Sequence, residues 1–387
     1  MKLHLLIIVV FASIIVLTNG CRGNDRACRS VELDGLAVND EVSLQEGIGV
    51  VIPEKEENPA HVLKERVSTV LLDSSGKFLY TGSSAGLVIY NVSETSHPEE
   101  IATIFLPGSV TSIVQYGDFL LVSSGPEGIA VINVKDKKNP VLKGTIETPG
   151  GALKGVVLSH SKIIRERLQD PPVIITAFAI ADGAMGITIL RADWAFEGEE
   201  WKDKESKILS SWKEGGYVRD ILLENAREGN FIFSATEKEG IVLLEYSISG
   251  ELKVLSKIPC ENEVRSIDIA GNYVYAVSGE SLLVIKREGK ELKLVSNLKM
   301  SLGDAIRGIG FDDLGKKAFL TAGEAGIVIV DIDNHREPRK VGVFDYSKPT
   351  LRINIKQNIA FIAADSGGIL VLDISTPPQF KILFPKS

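Results

Sequence analysis

The stretch IVIVDIDNHREPRKVG, residues 327–342, decides the fold. It opens on four consecutive β-branched residues, Ile327 to Val330, reaches Asp331, turns through Asn334 and Pro338, and resumes as RKVG. Short β-branched runs broken by Gly, Pro, Asn and Asp are the pattern of strands joined by tight turns. The run is apolar at consecutive positions instead of alternating, which is expected of a strand covered on both faces. Upstream, AIRGIGFD (305–312) and AFLTAG (318–323) supply two further strands, so the neighbourhood reads as one four-stranded unit.

The same unit recurs along the chain. A glycine-led strand appears as GLVIYNV from Gly86, GIAVINV from Gly128, GITILRA from Gly186, GIVLLEY from Gly240, SLLVIKR from Ser281, GIVIVDI from Gly326 and GILVLDI from Gly368. Successive copies lie 42, 58, 54, 41, 45 and 42 residues apart, a period that marks propeller blades. A sheet with two apolar faces cannot bury both alone, whereas blades around an axis cover one another and leave no long free edge. The predicted fold is therefore all-β, a seven-bladed β-propeller of four-stranded antiparallel blades over residues 63–387. The two long intervals predict loop insertions in the third blade, at 161–172 and 192–206. FKILFPK (380–386) is the expected last outer strand, with PAHVLKE (59–65) as the alternative.

Residues 1–20 begin with Lys2, continue as an apolar run from Leu5 to Leu17 and end in small or polar residues before Cys21. This is the layout of a signal peptide, and its 13-residue apolar run falls short of the roughly 20 residues that cross a bilayer. The junction Thr18-Asn19-Gly20-Cys21 resembles a lipobox, although Leu17 stands one place too early. Cys21 is thus a candidate lipidation site, and acidic residues 21–62 read as a tether. The mature chain is expected outside the cytoplasm, at a cell surface or in a periplasm, touching membrane only through an N-terminal anchor; Cys28 and Cys260 could pair there.

The formal charge of -8, which becomes -9 without residues 1–20, argues against a nucleic-acid partner, because such surfaces are basic. His4, His61, His97, His160 and His335 are scattered, so neither a metal site nor a cofactor is expected. Gly82-Ser83-Ser84-Ala85-Gly86 fits the G-x-S-x-G pattern, but it joins two strands where a nucleophile elbow needs a strand-to-helix turn. Asn91-Val92-Ser93 is a short sequon at a strand end. Trp194, Phe196 and Trp201 in the third copy either contact a partner or fold onto their own blade.

The turn-linked segments IVIVDIDNHREPRKVG, AVINVKDKKNPVLKG and VIYNVSETSHPEEI resemble the LVIVD repeat of bacterial and archaeal surface proteins. The resemblance spans about residues 66–387, strongest in copies one, two, six and seven. It implies a surface-exposed propeller and hands over no catalytic residues.

The position that opens each innermost strand reads Ser68, Thr111, Lys154, Arg219, Arg265, Arg307 and Arg352. In a ring these share one level, so five cations converge on one channel mouth, a candidate anion site since guanidinium forks grip carboxylate and phosphate. Equally, acids in the turns between strands two and three (Glu127, Asp182, Glu237, Glu239, Glu280, Glu324, Asp365) could neutralise them as a purely structural ring. The expected function is a non-catalytic binding or scaffolding module for a protein or small anionic ligand. The alternative, a hydrolase or lyase working in the channel, would require His, Asp or Tyr side chains converging there.

Overall fold

The computed structural model describes residues 5–10, 13–18, 66–164, 173–197, 200–227, 229–247 and 249–385. An N-terminal unit, residues 1–58, holds an antiparallel hairpin of Leu5–Val10 with Ser13–Thr18. Cys21, Cys28, the tether and the 59–65 segment lie outside the described residues.

The second unit, residues 59–387, contains seven four-stranded antiparallel sheets, each with its strands in chain order. There is no helix among the described residues. The innermost strands are Val67–Leu72, Ser112–Tyr116, Lys154–Ile164, Val218–Ala226, Val264–Ala270, Gly308–Phe311 and Arg352–Lys356. Each touches the innermost strand of the next blade, and the seventh touches the first. The chain is a seven-bladed β-propeller.

The core is divided as that ring demands. Seven apolar clusters each join two adjacent blades. The cluster between the last and first blades places Phe361, Ala363 and Val371 against Val67, Leu79 and Val88. Closure uses the last blade's own Lys381–Phe384 as outer strand, as the in-order reading expected. It also uses a backbone bond repeated around the ring. The turn after strand two of one blade bridges to a residue one or two places before the next blade's opening cation or hydroxyl: Gly125 to Ala152, Gly183 to Val218, Gly323 to Thr350 and, across the closure, Asp365 to Val67. The seventh-to-first junction is thus built like its neighbours.

The residue that gives the motif its final letter has a local task. Asn91, Asn133, Asp331 and Asp373 each accept, through Oδ1, the backbone N–H two residues on, at 2.9–3.1 Å. This Asx turn ends strand three and aims the chain at strand four. Where that residue is replaced, by Arg191, Glu245 and Lys286, strand three runs on to Glu197, Tyr246 and Glu288. The same trend explains the third blade, where the loop expectation needs correction. Residues 192–206 fall largely within two long paired strands, Ile187–Glu197 and Glu200–Trp212, and Lys154–Ile164 pairs with Val173–Ala181 beyond the usual blade length. The insertions lengthen the sheet, because paired backbone satisfies its own N–H and C=O groups.

The leading glycine is imposed by geometry. Gly326 has φ +76°, and a Cβ there would lie 2.3 Å from the Phe344 carbonyl oxygen in the outer strand. Gly326→Ala should therefore cost roughly 1–3 kcal/mol or more, read as a lowered urea midpoint. An unchanged midpoint would show that the turn can relax away from strand four.

Candidate ligand site in the central channel

The expectation of seven equivalent positions needs one correction: the strand register puts Ser68, Thr111, Arg219, Arg265 and Arg307 at one level with Leu153 and Leu351, whereas Lys154 and Arg352 stand one residue further along, level with Asp220 and Ser266. The two hydroxyls act as stitches between blades. Ser68 Oγ donates to the carbonyls of Gly82 and Val110 at 2.9 and 2.6 Å. Thr111 Oγ1 lies 2.9 Å from the Leu153 carbonyl oxygen of the next blade.

Four of the five cations have acid partners. Lys154 Nζ lies 2.6 Å from Asp220 Oδ1, and Asp220 also accepts from Ser266 Oγ and the Ile267 N–H at 3.0 and 3.1 Å. One nearly buried carboxylate thereby ties three blades together. Arg219 reaches Glu263 Oε2 at 2.8 Å, and Arg265 pairs with the other oxygen of Glu263. Burial pushes the Glu263 pKa up, but Arg219 and then Arg265 outweigh it and hold the carboxyl below the usual glutamate value. Arg307 meets Asp304 more loosely, at 3.3 Å.

These partners are not the acids the sequence suggested. Asp182 accepts from Thr188 Oγ1, Glu239 pairs with Lys257, and Glu280 accepts from the Leu302 and Gly303 N–H groups. The neutralising carboxylates instead stand beside the ring itself: Glu263 two residues before Arg265, Asp304 three before Arg307, and Asp220 directly after Arg219. A turn carboxylate has short reach, whereas a neighbour in the same strand or its approach is already at the right height.

Arg352 is different. Its Nη1 donates to the Arg307 carbonyl, and among the described residues it has no ion-pair partner. Burial lowers its pKa, Asp220 opposes that, and Arg265, Arg219 and Arg307 add repulsion. A guanidinium nevertheless stays charged. Arg352 and Arg219 lie where two cavities meet. The smaller, about 300 Å³, includes Ser68, Thr111, Arg265 and Arg307 in its wall. The larger, about 650 Å³, includes Lys154, Asp220, Ser266, Asp268 and Asn354. Both volumes are in or near the range of small-molecule sites.

Asp268 was not foreseen. Burial is the main cause that raises its pKa; the Ile269 N–H and Lys154 oppose this, while Asp220 adds to it. Its recorded hydrogen bond is to that N–H, at 2.8 Å. A signal existed in the repeat: at the same register position five blades carry Leu71, Val114, Val156, Leu222 and Gly310, and the seventh carries the polar Asn354.

The remaining motifs settle into turns and packing. Ser84 is exposed in a strand-to-strand turn, and Asn91 Oδ1 is engaged by Ser93 Oγ at 2.8 Å. His335 Nδ1 lies 2.7 Å from the buried Tyr275 hydroxyl. Cys260 is a free thiol whose pKa burial raises to about 11. The side chains of Trp194, Phe196 and Trp201 are outside the described set.

Comparison with known proteins places this geometry. The LVIVD repeat model matches residues 72–104, 107–148, 262–285 and 349–382. These four segments are LVIVD repeats. They fall in blades one, two, five and seven, so the fifth LVIVD copy is matched despite its missing Asx turn and the sixth is not; nothing in the structure explains that exchange. A search of curated proteins found no match. Among solved structures, Saccharomyces cerevisiae Sqt1 is similar with TM-score 0.56 and 13% identity, covering 82% of this chain and 84% of that one. The Myceliophteria thermophila Cps50 (Swd1) β-propeller domain is similar with TM-score 0.60 and 12% identity, covering 80% and 97%. Identities this low show the fold alone.

The shared pair at Glu263 yields a stability prediction. Its folded-state pKa is depressed, so its contribution is full above the ordinary glutamate value and is lost as pH falls through the folded value. Glu263→Gln should cost about 1–2 kcal/mol at pH 7, with the gap to wild type closing in acid. A gap that persists under acidic denaturation would assign the loss to packing.

Proposed function

We propose that this LVIVD-repeat propeller is an extracytoplasmic, non-catalytic binding module whose channel holds an anionic group. The observation that carries this reading is Arg352, a half-buried guanidinium with no ion-pair partner among the described residues, standing where both cavities meet. An unmatched half-buried charge is costly, and an anion that pairs with it in a fork removes that cost. Arg219, Arg265, Arg307 and Lys154 surround it at lower net charge, because Glu263, Asp304 and Asp220 already occupy them. They shape the site and attract the ligand, while Arg352 supplies the free donor.

The non-catalytic part is supported by how Asp220, one of two carboxylates in the larger cavity, is used. Its oxygens are taken by Lys154, Ser266 and the Ile267 N–H, which makes it a structural anchor. The location rests on the leader-like residues 1–20, with Cys21 as the point of membrane attachment. Mass spectrometry of the mature protein should find an N-terminus at Cys21 carrying lipid; an intact Met1 would overturn the location.

Binding is tested with inorganic phosphate and acetate by thermal shift and calorimetry. Either anion should stabilise the folded protein by mass action. Arg352→Gln should weaken binding at least about tenfold, with a smaller loss for Arg265→Gln. Equal affinity in wild type and Arg352→Gln would refute the site.

A further inference from the structure

The larger cavity has two unmatched charges of opposite sign. Arg352 lacks an acid partner, and Asp268 has no ion pair among the described residues. Both line the same 650 Å³ space, yet they do not pair with one another. In a wall that otherwise neutralises its charges locally, this leaves one cationic and one anionic contact facing a common volume.

Asp268 also departs from the apolar residues or glycine that five of the blades carry at its register position. By strand register its counterparts are Leu71, Val114, Val156, Leu222 and Gly310, and the seventh blade carries Asn354 at the same position. Leu71, Val114, Asp268 and Asn354 all line the cavity, so both departures face the same space. In a repeat protein a polar residue at an apolar wall position costs stability without improving packing, which is expected of a binding function. The wall also carries aliphatic side chains, Leu71 and Val114 among them.

We propose that this cavity binds a small molecule of the amino-acid class, its carboxylate on Arg352, its ammonium on Asp268 and its aliphatic part against Leu71 and Val114. The proposal rests on the anion reading of Arg352 and adds a second recognition point. A ligand carrying both charges satisfies two half-buried groups at once, whereas one carrying a single charge leaves the other uncompensated. Selectivity should therefore favour the doubly charged molecule.

Three probes of similar carbon skeleton separate the contributions: leucine, isovalerate without the ammonium, and isoamylamine without the carboxylate. By calorimetry near pH 7, leucine should bind at least about tenfold more tightly than either. Asp268→Leu reproduces the residue found at Leu71 and Leu222, so the blade is expected to fold; there leucine should bind no better than isovalerate. Asp268→Asn provides a second variant of nearly unchanged shape with the same expected loss, and circular dichroism melts confirm folding of both. Leucine binding no tighter than isovalerate in wild type, or a leucine preference surviving both Asp268 variants, would overturn the proposal. If isovalerate binding still depends on Arg352 in that case, the anion reading stands without it. If isovalerate binds equally well to Arg352→Gln, the anion reading itself fails.

Discussion

Every part of this molecule depends on the burial of two apolar faces per sheet. Strands such as Ile327–Asp331, buried at four consecutive positions, have no solvent face, so a blade is stable only between two others. Each apolar cluster belongs to a junction and none to a blade alone. At roughly 1.5–3 kcal/mol for each fully buried aliphatic side chain, the junctions dominate stability. Closure then follows, because an open array would leave its terminal blades with one uncovered face each.

Closure also creates the channel chemistry. Innermost strands that share a level bring residues from distant parts of the chain together, and cations at two adjacent register positions would repel if left alone. The protein answers with local carboxylates: Asp220 serves Lys154, Glu263 serves Arg219 and Arg265, and Asp304 serves Arg307. Much of the apparent anion ring is therefore scaffold. What remains available is a smaller feature, Arg352 on one side of the larger cavity and Asp268 on another, and the functional reading rests on that remainder.

The outer parts of the blades follow a different rule. Asn91, Asn133, Asp331 and Asp373 end strand three with a side-chain bond to the backbone, and blades without such a residue extend their hairpins. The third blade lengthens most, which is why its surplus residues became strand where loops were expected. Pairing outward is open to it because nothing beyond the blade perimeter constrains strand length.

Blade number, strand order and the level shared by Arg219, Arg265 and Arg307 were legible in the sequence, because each depends on spacing and local apolar pattern repeated along the chain; the one-residue offset of Lys154 and Arg352 was not, since it is set by hydrogen-bond register between strands. Asp268 was legible in principle, as an acid where five blades carry apolar residues or glycine, but it lies three residues past the cation that opens its strand. Which cation meets which acid was decided only by the tertiary structure. Lys154 and Asp220 are 66 residues apart and Arg219 and Glu263 are 44, and pairing across such separations is set by side-chain reach between packed blades, which a linear pattern does not encode. The chain thus specifies by itself where charge accumulates, and the closed ring decides which of that charge is left free.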